Sequence, residues 1–508
     1  MGAMSVNIAA APARINPTLT LLTASMGCAM TVLDTNVVAV VLPTIARDFG
    51  ATFADVEWVI SAYVLCFASL LLSAGAIADR FGRRRVFLIG ILAFAISSWL
   101  CGAAPSARTL SLARALQGAS AAFLLAPALA IIGHTFHGNE ERNRAWSIWG
   151  GIMGLTMVLS PIIGGVIGHE WGWRWAFHVN VPICSGLAFA VLRFVEESKD
   201  EKARRLDPIG IVSFASFMFG TTWGLINGQA HGWMSLAAWV GFAGGAVGLV
   251  IFIVAENTQQ RPMLDLGLFR SPRFVGGIWA MFSYAACAQV MASMLPLFLQ
   301  NGFGKTALEA GFAMLPFALA MLAFPVVGRL LGKRLSSREI LSIGLLVVGL
   351  GSLVTAWGAN TANGLVVMIG MLILGSGGGL LNGETQKAIM SIVPRERAGM
   401  ASGISTTARF SGILFGFAVL SGVMASTVRS ILMRPDCAEA ICTPSFVEAV
   451  VAGDMPGAVA GIAASAREAA IAAALAGYAH GFAAALLTSG CVAICSAILV
   501  HRLMRRAA

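Results

Sequence analysis

The chain is a succession of long apolar runs separated by short polar loops. A helix of about 20 apolar residues spans the hydrocarbon core of a bilayer, and these runs have that length. Fourteen are read along the sequence, at 18–43, 55–77, 86–104, 108–134, 143–168, 176–195, 208–227, 233–255, 274–300, 307–331, 339–358, 363–391, 398–426 and 473–500. Glycine and tryptophan interrupt the two runs between 208 and 255; without that pair the count is twelve. A membrane β-barrel would alternate apolar and polar residues over segments of about ten, and that alternation is absent. Arg14 and the apolar run after it superficially look like a signal peptide. The run continues past Asp34 to Pro43 without a cleavage site, so it reads as the first membrane helix. The pattern predicts an all-α integral membrane protein with 14 transmembrane helices.

Composition sharpens this. Hydrophobic residues make up 57% and charged residues 11% of the 508 positions, too few charges to cover several soluble cores. The net charge of +10 does not point to nucleic acid, because the basic residues sit in alternate loops. One set holds Arg80, Arg83, Arg84 and Arg85, then Arg142 and Arg144, then Lys199 to Arg205, and later Lys333, Arg334, Arg338, Arg395 and Arg397. The intervening loops hold few. Positive charge marks the cytoplasmic side, which places both termini inside the cell. The nine cysteines form no metal-type pair. Cys437 and Cys442 lie in a long outer segment, 427–472, where a disulfide and two free thiols are both open readings. Pro444 and Pro456 cut that segment, which predicts short amphipathic helices lying on the surface.

A shift of 253 residues superimposes several landmarks. Leu42-Pro43 falls on Leu295-Pro296, Gly75 on Gly328, Arg80 on Lys333, Arg85 on Arg338, and Arg142-x-Arg144-Ala145 on Arg395-x-Arg397-Ala398. A constant offset at three separated places implies two six-helix bundles in parallel repeat, with a substrate site at their interface near the bilayer midplane. The expected division is a tail 1–17, a first bundle 18–195, a linker with an inserted two-helix pair 196–272, a second bundle 273–501 and a tail 502–508.

Several segments resemble one known family. Gly75-Ala-Ile-Ala-Asp79-Arg80-Phe-Gly82-Arg83-Arg84-Arg85 is similar to the loop signature of the major facilitator superfamily between helices 2 and 3. Arg114-Ala-Leu-Gln117-Gly118 resembles its helix-4 motif, and Gly154-x5-Ser160-Pro161-Ile-Ile-Gly164-Gly165 the helix-5 motif of its exporters. Leu33-Asp34 through Leu42-Pro43, and Trp173-Arg174-Trp175-Ala-Phe177-His178-Val-Asn180-Val-Pro182, resemble its fourteen-helix drug:proton antiporters. The likeness extends through Leu206-Asp207-x-x-Gly210, Arg261-Pro262-Met263-Leu264-Asp265-Leu266 and Arg397-Ala-Gly399-Met400-Ala401-Ser402-Gly403. Ala39 stands where the family usually has Asn, and Glu384 where small residues or proline are usual. The resemblance implies the major facilitator fold and a proton-coupled exporter of lipophilic, cationic small molecules. It also implies a protein that is not an enzyme and is driven by a proton gradient without a cofactor. A dedicated exporter of one metabolite, lipid or antibiotic is the alternative on the same fold. Expected partners are a small-molecule substrate, protons and membrane lipids, with no nucleic acid. A monomer in a bacterial inner membrane is expected, and accessory efflux proteins are compatible with it. An ATP-driven pump is disfavoured: in Gly302-Phe-Gly304-Lys305-Thr306 the first glycine of a phosphate loop is replaced by Leu299.

The ionisable residues inside spans are the candidates for chemistry, since each costs about 2.5–3.5 kcal/mol to insert. Asp34 is about nine residues from the outer end of its helix, ~13 Å deep at 1.5 Å per residue. Burial disfavours a charged carboxylate and a nearby cation favours it; an acid poised between the two, facing a solvent-reachable crevice, loads and releases a proton. Arg114 keeps its charge and either couples to Asp34 or braces helices 1 and 4. Gln117, three residues on, shares its face and can orient the guanidinium. Glu384 has two readings: a second acid in the central cavity, or a partner of Lys387 at the cytoplasmic rim. Arg409 lies deep in the thirteenth span and is a partner for Glu384 or for an anionic substrate. Trp58, Tyr63, Phe123, Met153, Phe282, Gln289, Met291, Met294 and Phe317 are candidates for the cavity lining. Gly75, Asp79, Arg80, Gly82 and Arg83 read as a conformational latch, with Asp79 aimed at the helix that opens at Ser336-Ser337. Gly154, Ser160, Pro161, Gly164 and Gly165 permit a bending, closely packed fifth helix. His134 and His137 read as a polar helix end, and no metal site is expected.

Overall fold

The computed structural model describes residues 16–136, 139–199, 207–258, 266–393, 398–433, 443–460 and 462–505. Its membrane helices are α1 (Pro17–Phe49), α2 (Phe53–Phe81), α3 (Arg83–Gly102), α4 (Ala107–Thr135), α5 (Asn139–Glu170), α6 (Trp175–Phe194), α7 (Pro208–His231) and α8 (Leu236–Thr258). They continue with α9 (Pro272–Asn301), α10 (Leu308–Leu331), α11 (Ser337–Asn360), α12 (Gly364–Ile392), α13 (Ala398–Leu432) and α14 (Ala464–Leu503). Thirteen of these are straight enough and apolar enough to cross a membrane singly, and α2, bent by 49° between Asp55–Leu71 and Ser73–Phe81, completes the fourteen expected.

Local chemistry sets the helix starts. Thr52 with Asp55, Thr306 with Glu309 and Ser336 with Glu339 form reciprocal caps, each satisfying two backbone N–H groups. Asn16 caps α1 ahead of Pro17, and Gly50 in the left-handed conformation ends it. Asp207 caps α7 through Gly210 N–H at 2.8 Å.

α1–α6 form one bundle and α9–α14 the other. The α7–α8 pair packs chiefly on itself and leans on α2 and α13, where the bundles meet. The glycines that interrupt its hydropathy are its packing face. A Cβ on Gly220 would stand 2.4 Å from Gly245 N, and one on Gly241 would stand 2.5 Å from Gly224 N. Small residues four apart on both helices allow backbone to touch backbone, the usual substitute for hydrophobic drive inside lipid.

The bundles meet along α1–α9, α2–α13 and α5–α10. Gln300 Nε2 donates to Val40 O at 3.0 Å, and Phe67 meets Phe410 edge-on at 4.2 Å. A Cβ on Gly311 would lie 2.8 Å from Pro161 O, and one on Gly154 would lie 2.6 Å from Leu322 Cδ1. The helix-5 glycine and proline positions therefore serve the seam as well as their own bundle, where Gly164 lies against Val37 and Val40 of α1. Ser160 and Gly165 are buried in the same helix.

The long outer segment differs from its expectation. Helix Pro444–Ala452 does not lie as a free surface helix. It buries Phe446, Val447, Val450 and Val451, and it packs against α2, α13 and α14. Arg429 of α13 grips Glu448 with two hydrogen bonds of 2.8 and 3.0 Å. The amphipathic sequence is used as a cap over the seam. Cys437 and Cys442 lie outside the described residues.

Candidate functional site

The deepest polar cluster is built on α1, α3, α4 and α6. Arg114 Nη1 donates to Asp34 Oδ2 at 2.5 Å and to Gln117 Oε1 at 2.7 Å. Gln117 Nε2 donates to Asp34 Oδ1 at 2.8 Å and to Ser98 Oγ at 2.6 Å. Asn180 Nδ2 donates to Asp34 Oδ1 at 2.9 Å and reaches Ser98 Oγ at 3.1 Å. Arg114 Nε donates to Val59 O at 3.1 Å, and its guanidinium lies 4.1 Å above the Tyr63 ring. Asp34 thus accepts three hydrogen bonds, one of them from a charged donor. A buried ion pair is stable only when its remaining lone pairs and protons are satisfied in this way.

Sequence spacing explains the assembly. Arg114 and Gln117 are three apart, so one face of α4 presents both to α1. Gly118 lets α2 approach: a Cβ there would stand 2.1 Å from Tyr63 O. Gly118→Ala should push α2 away from α4 and cost about 1–3 kcal/mol of stability. A lower thermal unfolding temperature of the purified protein would report this, and an unchanged one would refute it.

One expectation fails here. The acid should face a crevice open to solvent, yet Asp34 and Arg114 are each 1% exposed. Tyr63 roofs the pair, and Gln117 and Asn180 close its sides. In this conformation the network is sealed inside the first bundle.

Glu384 takes its second reading, and the central-cavity reading is corrected. Its carboxylate accepts from Lys387 Nζ at 3.0 and 3.1 Å and from Ser337 Oγ at 2.5 Å, at the end of α12 that meets the start of α11. The acid sits there because Lys387 is one turn along, and because Ser337 brings a hydroxyl at a helix start. Arg409 is accordingly not its partner. Arg409 Nε donates to Gln289 Oε1 at 2.8 Å and lies 5.9 Å from the Tyr284 ring. Gln289 ends a π-helical turn, Ala285–Gln289, that interrupts α9. Such turns commonly mark functional sites.

The latch is also rearranged. Asp79 does not reach Ser336 or Ser337; it pairs with Arg83 of its own loop at 2.8 Å. The start of α3 is held instead by Glu197, which accepts from Arg84 N at 3.1 Å and Arg85 N at 3.2 Å. Arg80 lies over the Phe81 ring. Gly82 is required twice over, by a φ of 110° and because a Cβ would meet the Glu197 carboxylate at 2.7–2.9 Å. Gly75 has room to spare, its nearest neighbour being Ala126 Cβ at 3.9 Å.

Most cavity candidates are packing residues in this conformation. Tyr63, Met291 and Phe317 are 1% exposed or less, whereas Met294 lines a small cavity at the seam. Phe123 lines a lateral groove between α3 and α4 rather than the seam. Met153 and Phe282 are half-buried beside the hydrophobic cores, and Trp58 lies tilted against Trp223 of the inserted pair, ring centroids 5.7 Å apart. Asn180 and Ser98 complete the acid's shell and were not singled out as chemistry. Glu57 of α2 is a further omission: an acid 2% exposed, accepting from Ser421 Oγ of α13 across the seam at 2.9 Å.

Two helical bundles of matching make, a seam between them and one buried acid–arginine pair define a multi-pass membrane protein of the secondary-transporter class. The chain belongs to the Major Facilitator Superfamily, whose family model matches residues 24–417. It is 36% identical to the multidrug resistance protein Stp of Mycobacterium tuberculosis, over 84% of this chain and 79% of that protein. It is 32% identical to the tetracenomycin C resistance and export protein of Streptomyces glaucescens, over 88% and 86%. It is 31% identical to the multidrug efflux pump LfrA of Mycolicibacterium smegmatis, over 84% and 86%. Among solved structures, a bacterial homologue of the human lysosomal transporter Spinster shares the fold. That match has a TM-score of 0.63 at 18% identity, covering 96% of this chain and 97% of that one.

Proposed function

We propose that this protein is a proton-coupled exporter of lipophilic small molecules, cationic ones foremost, working by alternating access. The observation that carries the reading is the buried, hydrogen-bonded Asp34–Arg114 pair, whose acid stands on the helix that also forms the seam. Val37 and Val40 lie just beyond Asp34 on α1, and they meet α5 and α9. A proton on Asp34 removes the charge that Arg114 opposes. It frees the guanidinium toward Val59 O and the Tyr63 ring and loosens the hold of α4 on α1. The seam helix then moves with the protonation state. Bundles 18–195 and 273–501 act as the rocking units, with the inserted pair as a lateral seal. The basic loops face the cytoplasm, with both termini on that side, in a bacterial inner membrane. The protein works as a monomer; its resistance and efflux relatives supply the efflux direction, and a pump dedicated to one metabolite would use the same machinery.

Counterflow in proteoliposomes with cationic, neutral and anionic probes, with and without an imposed pH gradient, tests this. Uphill movement of the cationic probes should appear only with the gradient. Uphill movement that ignores the gradient would refute the coupling. Glu384→Gln should leave gradient-driven transport within about twofold of the wild type, since its partners Lys387 and Ser337 belong to the same bundle and a glutamine oxygen still accepts from both. Abolished transport in that variant would restore Glu384 to the coupling machinery.

A further inference from the structure

We propose that Glu57 is a second proton-binding site, placed in the seam itself, whose proton permits the seam to close at the end opposite the arginine-rich loops. The inference rests on the proton-coupled reading above but concerns a different acid, bundle face and event.

Glu57 is 2% exposed, and its hydrogen bond to Ser421 joins α2 of one bundle to α13 of the other. It borders a narrow, partly open cavity of ≈ 30 Å³, room for a water and far too small for a drug. The walls are Leu42 and Pro43 from α1, Asn301 from α9, Ser421 from α13, Tyr478 from α14 and Val451 from the capping helix. Among the described residues, Tyr478 is the sole other titratable group in that lining, and no lysine or arginine is part of it. Of the charges on the elements around it, Arg47 of α1 is exposed and reaches only Thr44 Oγ1, at 3.5 Å, and three others are committed elsewhere. Asp55 closes the cap of α2 with Thr52, Arg429 is bound to Glu448, and Asp48 is bound to Arg174 at 2.7 Å. The inserted pair presents only Phe219 and Trp223 to neighbouring Trp58.

A carboxylate enclosed with one hydroxyl donor and no cation is strongly disfavoured, whereas the neutral acid is easily held. The Ser421 hydroxyl has one hydrogen and two acceptors in reach, Glu57 Oε1 at 2.9 Å and Ala418 O at 3.3 Å. With a proton on Glu57, the acid donates to Ser421 Oγ and Ser421 donates to Ala418 O, satisfying both. Without it, the single water that the cavity can hold is too little to solvate the charge, and parting α2 from α13 restores its hydration. The site is matched to the ion that fits the cavity: a proton, delivered by one water. Binding is COO⁻ + H⁺ → COOH, with the proton taken up from the medium on that face while the seam is open.

Hydrogen–deuterium exchange of the full-length protein in lipid nanodiscs tests this, over a pH series corrected for intrinsic chemical exchange. In the wild type, peptides at the seam ends of α1, α2, α9 and α13 should become less protected as pH rises, by up to about tenfold per pH unit, the single-proton limit. Glu57→Gln should keep them protected throughout, and Asp34→Asn should retain the wild-type response. A wild-type response in Glu57→Gln overturns the proposal; so does a response lost in Asp34→Asn alone. If Glu57→Gln fails to fold, Ser421→Ala provides the check by infrared spectroscopy. The band of a buried protonated carboxylic acid should shift in frequency, and an unshifted band overturns the assignment. A transport cycle indifferent to the pH gradient would defeat the antiport reading while leaving the Glu57 response intact.

Discussion

Arg114→Gln should be the most damaging single substitution in the first bundle, lowering stability by about 3–5 kcal/mol. The reason is the state of what remains. Asp34 is 1% exposed, so it would keep its charge without a counter-ion, or give it up and leave Gln117 and Asn180 with a weaker acceptor. Either outcome leaves buried polar groups poorly matched, which is costlier than the loss of one favourable contact. The Val59 carbonyl and the Tyr63 ring would lose their cation as well. Asp34→Asn/Arg114→Gln should be markedly more stable than Arg114→Gln alone, because the lone charge is gone. Thermal unfolding of the four combinations measures the coupling between the two positions. Additive effects would mean that the pair is not an energetic unit.

Asp34→Asn leaves the Arg114 charge without its counter-ion and should also lose stability, by less than Arg114→Gln because the Val59 carbonyl and the Tyr63 ring still hold the guanidinium; the folded protein should separate two activities. The asparagine amide oxygen still accepts from Arg114 or Gln117, but it carries no titratable proton. Counterflow at equal pH needs only the rocking of the bundles and should survive, whereas accumulation driven by a pH gradient should fall to background. A variant that loses both would point to a structural acid, and one that keeps both would show that the proton binds elsewhere.

The fourteen spans were legible because hydropathy and helix length are properties of a run, and the parallel repeat because charge at loop ends recurs at one offset. Asp34 and Arg114 were legible for a related reason, since charges inside an apolar run are rare, and Gln117 because a spacing of three puts it on the face of Arg114. Asn180 and Ser98 were not, since neutral polar residues insert at little cost and leave no mark on hydropathy. Glu57 escaped notice because it lies two residues past Asp55, where acids ordinarily begin a helix; only the fold shows that it turns to the seam. Glu384 misled in the opposite sense. Its lone charge in an apolar run suggested a cavity, but Ser337 approaches from another helix, a contact that no local pattern encodes. Asp79 illustrates the same limit, since its choice between Arg83 and the start of α11 depends on how the bundles stand. The capping helix looked like a surface element because amphipathicity shows that a face is buried but not what buries it.

Proton release on drug addition is the most direct test of the coupling account. Purified protein in weakly buffered detergent solution, with a pH-sensitive dye and a lipophilic cation as probe, should release protons as the probe binds. Asp34→Asn should bind the same probe and release none. Undiminished release from Asp34→Asn, with intact probe binding, would contradict the account.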